Sequence, residues 1–384
     1  MNNTPQSERL RIVVLGACNS GKSSLINMLA DQEVSLTSDI AGTTTDPVKR
    51  AMELPHAGAV VLVDTAGLDD TSPLGKQRAD LSLKALDNAD LALLLTGENA
   101  DVESECISML KSKKIPFVKV ANKSDIRQTT EADVHVCAAE GKGRPELIEA
   151  ILQKIPSDFA PRDLLGNLVK HGDLVVLVMP QDSQAPKGRL ILPQVQTIRA
   201  LIDRGCTVVS ATPETLPLTL SKLNVLPDLT ITDSQVFDSV KRIIPSGVRL
   251  TSFSILMAAY KGDIEYFVEG AKKIAALDSD SRVLIAEACT HVPANEDIGR
   301  VKLPLLLRKK AGEGLSIDFA TGKNFPDDPG RYDLIIHCGG CMFNRRMVMS
   351  RVQRAKEAGV AMTNYGVAIA CLKGIIDKVV YPGN

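Results

Sequence analysis

The sequence contains no tryptophan, and aromatic residues make up only 3% of its 384 residues. That scarcity argues against stacking platforms for single-stranded nucleic acid. The net charge is −1, so no overall attraction draws the chain toward nucleic acid or an anionic membrane. No apolar run reaches the ~20 residues of a bilayer-spanning helix, and the polar stretch 1–11 has no apolar signal core. We therefore expect a cytoplasmic protein whose partners include neither nucleic acid nor membrane.

Disulfides are not expected either, although the chain has eight cysteines. In a cytoplasmic protein, cysteines are more often buried thiols or metal ligands. Hydrophobic residues at 44% and charged residues at 24% give the usual balance of a globular α/β protein. The cysteines are therefore candidate metal ligands or buried thiols.

Strand-like apolar runs alternate with helix-like periodic stretches along the whole chain. This alternation predicts an α/β fold of three domains, each a mostly parallel sheet flanked by helices. The stretch 156–172 carries two prolines and two glycines and is interpreted as a linker. We place the domains at 1–160, 170–262 and 263–384.

A phosphate-binding loop follows the first strand-like run, Arg11 to Leu15. It reads Gly-Ala-Cys-Asn-Ser-Gly-Lys-Ser over residues 16–23, and a helix-like stretch follows it. Glycines let the backbone wrap phosphates with its N–H groups. Lys22 would place a cation on the β- and γ-phosphates, and the Ser23 hydroxyl would ligate Mg²⁺. The first domain is therefore predicted to be a P-loop GTPase fold.

Three further motifs follow in the order that a GTPase requires. Threonines 43–45 lie in a polar loop, where one of them can reach Mg²⁺. Asp64-Thr-Ala-Gly67 follows a strand, so Asp64 can hold the Mg²⁺ shell through water and the Gly67 N–H can bind the γ-phosphate. Asn122-Lys-Ser-Asp125 follows another strand. The Asp125 carboxylate can accept two N–H bonds from guanine that adenine cannot offer, and residues 136–138 can add a backbone contact.

The amino-acid sequences of these motifs resemble those of the translation-factor-like GTPases of the Era, Der and MnmE type. The resemblance rests on Asn-Ser-Gly-Lys-Ser-Ser-Leu at 19–25 and Ala-Gly-Thr-Thr-Thr-Asp at 41–46. It implies that Thr44 contacts Mg²⁺ and that Asn19 contacts a monovalent cation, usually K⁺. Asn19 as a purely structural loop residue is the alternative. Leu68 stands where Ras-type enzymes carry the glutamine that orients water, so we expect slow intrinsic turnover in a nucleotide switch.

The resulting assignments for the nucleotide site cover catalysis and binding. Catalysis is assigned to Lys22, Thr44, Asp64 and Gly67. Binding of GTP or GDP is assigned to Gly16, Asn19, Ser20, Gly21, Lys22, Ser23, Ser24, Thr43, Asn122, Lys123, Asp125, Cys137 and Ala138.

A candidate metal site lies in the third domain, where two strand-like runs each end in metal-binding residues. Cys289-Thr-His291 follows the first run, and His337-Cys338-Gly-Gly-Cys341 follows the second. Parallel strands end on the same sheet edge, where α/β ligand sites lie. Zn²⁺ would be satisfied by the three cysteines and one histidine. An iron–sulfur cluster would take three thiolates and leave one iron for a histidine or an exchangeable group. Two unrelated sets of buried cysteines are the plainer interpretation.

Taken with the GTPase motifs, the Cys-x-His and His-Cys-x-x-Cys pair resembles the HydF family of FeFe-hydrogenase maturation GTPases. The resemblance covers essentially the whole chain. It implies a homodimer, with 170–262 as the dimerisation domain and 263–384 as the cluster domain. It also implies a 4Fe–4S cluster on Cys289, Cys338 and Cys341, with His291 and His337 as candidates for the fourth position.

The resemblance further implies a scaffold or carrier of a di-iron precursor, which is assembled with the radical-SAM maturases HydE and HydG and delivered to apo FeFe-hydrogenase. An RNA-linked GTPase with a structural zinc is a second interpretation, against which the near-neutral charge argues. A plain GTP-binding switch whose metal only stabilises the fold is a third.

Overall fold

The computed structural model describes residues 8–30, 39–40, 48–69, 83–126, 131–155, 163–180, 190–288, 298–322, 324–340 and 342–383. The chain forms two compact units, 1–162 and 163–384. Within the described ranges, no helix combines the length and apolarity that crossing a bilayer requires. Each unit is considered by itself below.

In the described part of the first unit, seven strands form one sheet in the order β2-β3-β4-β1-β5-β6-β7. The strands are β1 (Leu10–Leu15), β2 (Asp39–Ile40), β3 (Val48–Leu54), β4 (Gly58–Asp64), β5 (Leu91–Thr96), β6 (Phe117–Ala121) and β7 (Val134–His135). β3 runs antiparallel to both of its neighbours, β2 and β4, and the other described pairs are parallel. The central strands β1 and β5 are nearly continuous aliphatic runs because helices cover both faces of a parallel sheet.

The described part of the first unit includes the helices α1 (Lys22–Ala30), α2 (Ala100–Ser112) and α3 (Arg144–Lys154). Asn99 begins α2 by accepting the backbone N–H groups of Asp101 and Val102 at 3.2 and 3.3 Å. Two buried apolar clusters lie on the two faces of the sheet. This packing fixes the carboxyl ends of β1, β4 and β6, where the nucleotide motifs begin.

The second unit contains two four-stranded sheets, both parallel in the residues that the structure describes. One has the order β11-β10-β8-β9 and the other β13-β12-β14-β15. The strands are β8 (Leu174–Val178), β9 (Thr207–Ala211), β10 (Leu229–Thr232), β11 (Arg249–Ser252), β12 (Arg282–Ala286), β13 (Ser316–Ala320), β14 (Leu334–His337) and β15 (Ala361–Asn364). The prediction of three mostly parallel α/β sheets is confirmed.

The helices of this unit join its two sheets through one core. They are α4 (Leu192–Asp203), α5 (Leu216–Ser221), α6 (Phe237–Ile243), α7 (Phe253–Lys261), α8 (Ile264–Lys272), α9 (Leu303–Ala311), α10 (Arg345–Glu357) and α11 (Tyr365–Leu372). A π-helical turn, Ile298–Lys302, precedes α9. One apolar cluster contains Val176 in the first sheet, Phe237 on α6, and Ile285 and Met362 in the second sheet.

The predicted linker 156–172 is wrong over its second half. Leu164, Leu165, Leu168 and Val169 are buried in the core beneath β8 and β10. A short 3-10 turn, Gly166–Leu168, brings these side chains onto the sheet. The predicted domain boundaries themselves stay predictions.

Candidate GTP site and metal centre

The phosphate-binding loop connects β1 to α1. At Gly21 the backbone φ is +91°, and a Cβ atom there would lie 2.2 Å from Nδ2 of Asn122. Glycine is therefore required both by conformation and by close approach. Asn19 also adopts a left-handed conformation, with φ of +59°, which asparagine tolerates better than most residues.

Lys22 lies inside this loop and is only 8% exposed. Its Nζ donates to the carbonyl oxygens of Gly16 at 3.1 Å and Ala17 at 2.7 Å. Burial lowers the pKa of Lys22 below its ordinary value, and neighbouring acidic groups oppose part of that shift. The loop thus holds the ammonium group at the position from which it can meet phosphate oxygens.

Ser23 and Asp64 meet at the carboxyl ends of β1 and β4. The Ser23 Oγ donates to Asp64 Oδ2 at 2.7 Å. A hydroxyl and a carboxylate side by side are the oxygen ligands that suit Mg²⁺. The other predicted residues of this part of the site, Thr43 and Thr44, lie outside the described residues.

The segment after β4 packs directly on the phosphate-binding loop. A Cβ on Gly67 would lie 2.3 Å from Sγ and 2.8 Å from the backbone nitrogen of Cys18. Asp69 accepts the Cys18 N–H at 2.6 Å, and this bond lowers the pKa of the Asp69 carboxyl. This bond ties the segment after β4 to the phosphate-binding loop.

Hydrogen bonds to the phosphate-binding loop and to neighbouring segments hold two of the guanine-recognition residues, Asn122 and Lys123. Asn122 donates from Nδ2 to Ser20 O and accepts the Ala138 N–H, both at 3.1 Å. Lys123 Nζ donates to Asn19 O at 2.7 Å and to Glu98 at 2.8 Å. The structure therefore brings residues 19–24, 64–67, 122–125 and 137–138 together. Glu98 was missed because a single glutamate after a strand carries no motif.

Cys137 contributes more than the predicted backbone contact. Its thiol, in a residue that is 2% exposed, donates to Asp125 Oδ1 at 3.3 Å. Asp125 itself is exposed, as a carboxylate that receives a base must be. The thiol thus contacts the acid that would read guanine.

In the second unit, β12, which precedes the first predicted metal-binding segment, lies beside β14, which leads into the second. Ala286 pairs with His337, and the Cys338 N–H donates to Ala286 O at 2.9 Å. The Cys338 Sγ accepts the Ala288 N–H at 3.0 Å and the Gly340 N–H at 3.4 Å. Cys289, His291 and Cys341 lie outside the described residues. The backbone immediately before residue 289 nevertheless contacts the Cys338 sulfur.

His337 is 1% exposed, and both of its ring nitrogens are engaged. Nδ1 lies 2.7 Å from Cys338 O, and Nε2 lies 2.9 Å from Nη1 of Arg351. A carbonyl only accepts and a guanidinium only donates, so these partners place the proton on Nδ1. Burial lowers the pKa of His337 to about 3, and the charge of Arg351 acts in the same direction. In this arrangement the neutral ring has no nitrogen lone pair available for a metal.

Two basic side chains, Lys261 and Arg345, donate to backbone carbonyl groups near the turn that follows β14. Lys261 is 2% exposed and donates to Phe343 O at 2.8 Å and Gly340 O at 3.3 Å. Arg345 donates to Gly262 O at 2.8 Å and so connects α10 to the turn before α8. Lys261 and Arg351 were missed, although Arg351 stands among apolar residues at the helical spacing of the buried face of α10.

Cys371, in contrast, behaves as a core thiol. It donates to Ala271 O at 3.3 Å, and burial raises the pKa of its thiol.

The fold and the nucleotide site define the class: a P-loop GTPase domain followed by two parallel α/β sheets. A family model described as 50S ribosome-binding GTPase matches residues 11–123. The Hydrogen maturase F dimerization domain matches 164–262, and the Hydrogen maturase F tetramerization domain matches 265–382. The chain belongs to the HydF family.

Other similar proteins are GTPases. The tRNA modification GTPase MnmE of Sinorhizobium medicae is 35% identical over 167 residues, which are 41% of this chain and 35% of that protein. GTPase Der of Wolinella succinogenes is 38% identical over 124 residues, 31% of this chain and 26% of that protein. The chain thus spans about a third or less of these relatives. The solved Aquifex aeolicus Era, with bound GDP and AlF4⁻, is 20% identical over 53% of this chain and 92% of that one, with a TM-score of 0.32.

Proposed function

We propose that the first unit binds GTP with Mg²⁺ and hydrolyses it slowly, as the switch of an iron–sulfur scaffold. The observation that supports GTP chemistry is the joint placement of Lys22, the Ser23–Asp64 pair and Asp125 along one sheet edge. Lys22 would neutralise phosphate oxygens, Ser23 and Asp64 would hold Mg²⁺, and Asp125 would accept the guanine N–H groups. Bound Mg²⁺ would stabilise charge that develops on the phosphates.

Slow turnover is proposed because Leu68 offers no polar group to orient water. K⁺ beside Asn19 would supply positive charge in its place, and Thr44 would complete the Mg²⁺ shell when GTP is bound. The left-handed backbone of Asn19 and the bond of Lys123 to its carbonyl support a fixed loop at that position.

The test is GTP hydrolysis by Lys22→Met and Asn19→Ala in K⁺ and in Na⁺. We expect Lys22→Met to abolish turnover, whereas Lys111→Met, at an exposed position of α2, should match wild type. Wild type should be faster in K⁺ than in Na⁺, and Asn19→Ala should remove the difference. Wild-type turnover in Lys22→Met would refute the phosphate-site assignment, and equal wild-type rates in both salts would refute the potassium assignment.

For the second unit, we infer a 4Fe–4S cluster held by Cys289, Cys338 and Cys341. The supporting observation is the Cys338 sulfur, which accepts the N–H groups of Ala288 and Gly340. Such donors favour an anionic thiolate, and hydrogen bonds to sulfur are usual at iron–sulfur sites. The described part of the site therefore fits a cluster thiolate at Cys338, and Ala288, whose N–H contacts this sulfur, immediately precedes Cys289 in the sequence.

Three thiolates would leave one iron without a cysteine ligand, and reversible loading of a di-iron cargo needs such a position. We propose that the chain carries the di-iron precursor of the FeFe-hydrogenase active site, receives it with HydE and HydG, and delivers it to apo FeFe-hydrogenase. We also propose self-association through 164–262, where β9 is a partly exposed edge strand.

Activation of purified apo FeFe-hydrogenase tests the carrier proposal. The protein is isolated anaerobically from cells that also make HydE and HydG, and hydrogen evolution is measured after mixing. We expect wild type and Cys371→Ser to activate the enzyme and Cys338→Ser to fail. Equal activation by Cys338→Ser would refute the role of the cysteine site.

A further inference from the structure

Arg351 is a buried cation on α10 whose partners carry no negative charge. It is 1% exposed, and its guanidinium contacts Nε2 of His337 and the carbonyl oxygen of Gly322. The ring centroids of Phe343 and Phe325 lie 4.6 and 5.1 Å from the guanidinium carbon, Cζ, of Arg351. Among the described residues no carboxylate pairs with it, and its buried Nε has no acceptor.

Such an arrangement is costly unless an anion lies close by. Burying an unpaired charge is unfavourable even after its surroundings relax. An arginine side chain is not deprotonated in proteins, so Arg351 stays charged at neutral pH. The negative charge of a Cys338 thiolate would favour this cation.

His337 connects this cation to the cysteine. Arg351 donates to Nε2, and Nδ1 donates to the carbonyl oxygen of Cys338. Asn364 donates to the same carbonyl at 3.4 Å. The chain of contacts fixes the backbone of Cys338 while its sulfur accepts the N–H groups of Ala288 and Gly340.

We propose that Arg351 and His337 are positioning residues of the cluster site: Arg351 supplies positive charge next to His337, on the side away from Cys338, and His337 orients Cys338 rather than binding iron. This inference rests on the proposed cluster function. Thiolate ligation brings negative charge to the sheet edge, which the uncompensated guanidinium would offset. Net charge and hydrogen bonds around a cluster are among the factors that set its reduction potential.

The ligand part is tested by EPR spectroscopy of the reduced full-length protein, with histidine labelled with ¹⁵N. Wild type and His337→Gln are compared for iron content and for hyperfine coupling from a ligated nitrogen. Glutamine can still accept from Arg351. We expect equal iron content and the same nitrogen coupling in both proteins. A strong nitrogen coupling that is present in wild type and absent from His337→Gln would show that His337 is a ligand and would overturn the proposal.

The charge part is tested by the midpoint potential of the loaded protein. Arg351→Met and Arg351→Gln are both neutral, and we expect each to shift the potential to more negative values. Arg351→Lys keeps the charge and should stay closer to wild type. Arg354→Met is the matched control, because Arg354 lies on the same helix and over the same Phe325 ring at 5.2 Å. It should not shift the potential.

Neutral Arg351 variants that hold iron and keep the wild-type potential would overturn the proposal while leaving the cluster function intact. A wild-type protein that binds no iron would instead remove the proposed function and this inference together. Thermal unfolding followed by circular dichroism shows whether each variant is folded, and the two neutral variants provide independent measurements.

Discussion

The thiol of Cys137 shows how a single residue can position the carboxylate that would recognise guanine. Asp125 must be exposed to meet a base, and an exposed carboxylate can otherwise adopt several rotamers. The bond from Cys137 Sγ restricts that freedom from the buried side. The motif Asn-Lys-Ser-Asp predicted the acid, but this thiol contact depends on two segments that only the fold brings together.

Replacing Cys137 with alanine should therefore weaken GTP binding. The thiol is a weak donor, so we expect a loss of about 1 kcal/mol, or roughly fivefold in affinity. Cys137→Ser should restore most of the binding, because a hydroxyl also donates. Titration with a fluorescent GDP analogue measures the effect, and Cys206→Ala in the other unit is the control. Wild-type affinity in Cys137→Ala would contradict the positioning role.

At the scale of elements, the approach of α8 to β15 depends on one glycine. A Cβ on Gly270 would lie 2.1 Å from the carbonyl oxygen of Met362, which is backbone and has little room to move. Helix and strand therefore pack at a distance that a larger residue prevents. This contact lies beside β14, the strand that carries His337 to the metal centre.

Gly270→Ala should destabilise the second unit, although the same change normally favours a helix by about 1 kcal/mol. Overpacking typically costs about 1–3 kcal/mol, so the net effect should be a loss of up to about 2 kcal/mol. Urea unfolding measures it. Glu265→Ala, at an exposed position of the same helix, should change stability by less than about 0.5 kcal/mol. A more stable Gly270→Ala protein would show that the two elements separate easily.

The elements that sequence predicted well are those with a strong local signal. Aliphatic runs such as β1 and β4 predict buried strands, and the phosphate-binding loop identifies the turn into α1. The burial of residues 164–169 was not predictable, because proline and glycine nearby suggest a linker while the leucines pack against strands that come later. Arg351 was missed for a similar reason: its partners lie on β14 and in loops distant in sequence.

At the scale of the whole molecule, the chain has two units with separate cores. The two sheets of the second unit share one core, so neither is expected to fold well alone. The nucleotide chemistry and the metal chemistry are thus assigned to different cooperative units. The sequence predicted that the two chemistries lie in different domains. It did not predict that the last two sheets share one core.

Fragments 1–162 and 163–384 should therefore each fold independently. We expect the first to hydrolyse GTP and the second to bind iron, with one cooperative thermal transition each by calorimetry. Division of the second fragment at residue 262 serves as the comparison and should expose apolar surface and cause aggregation. A fragment 163–384 that is unfolded, when the full chain is folded, would contradict the assignment of separate units.

The most direct test of the cluster assignment is the metal and sulfide content of the anaerobically purified full chain. We expect about four iron atoms and four acid-labile sulfides per chain, with zinc far below one. Cys338→Ser should lose most of both. One zinc per chain with neither iron nor sulfide would contradict the assignment and leave a structural metal in its place.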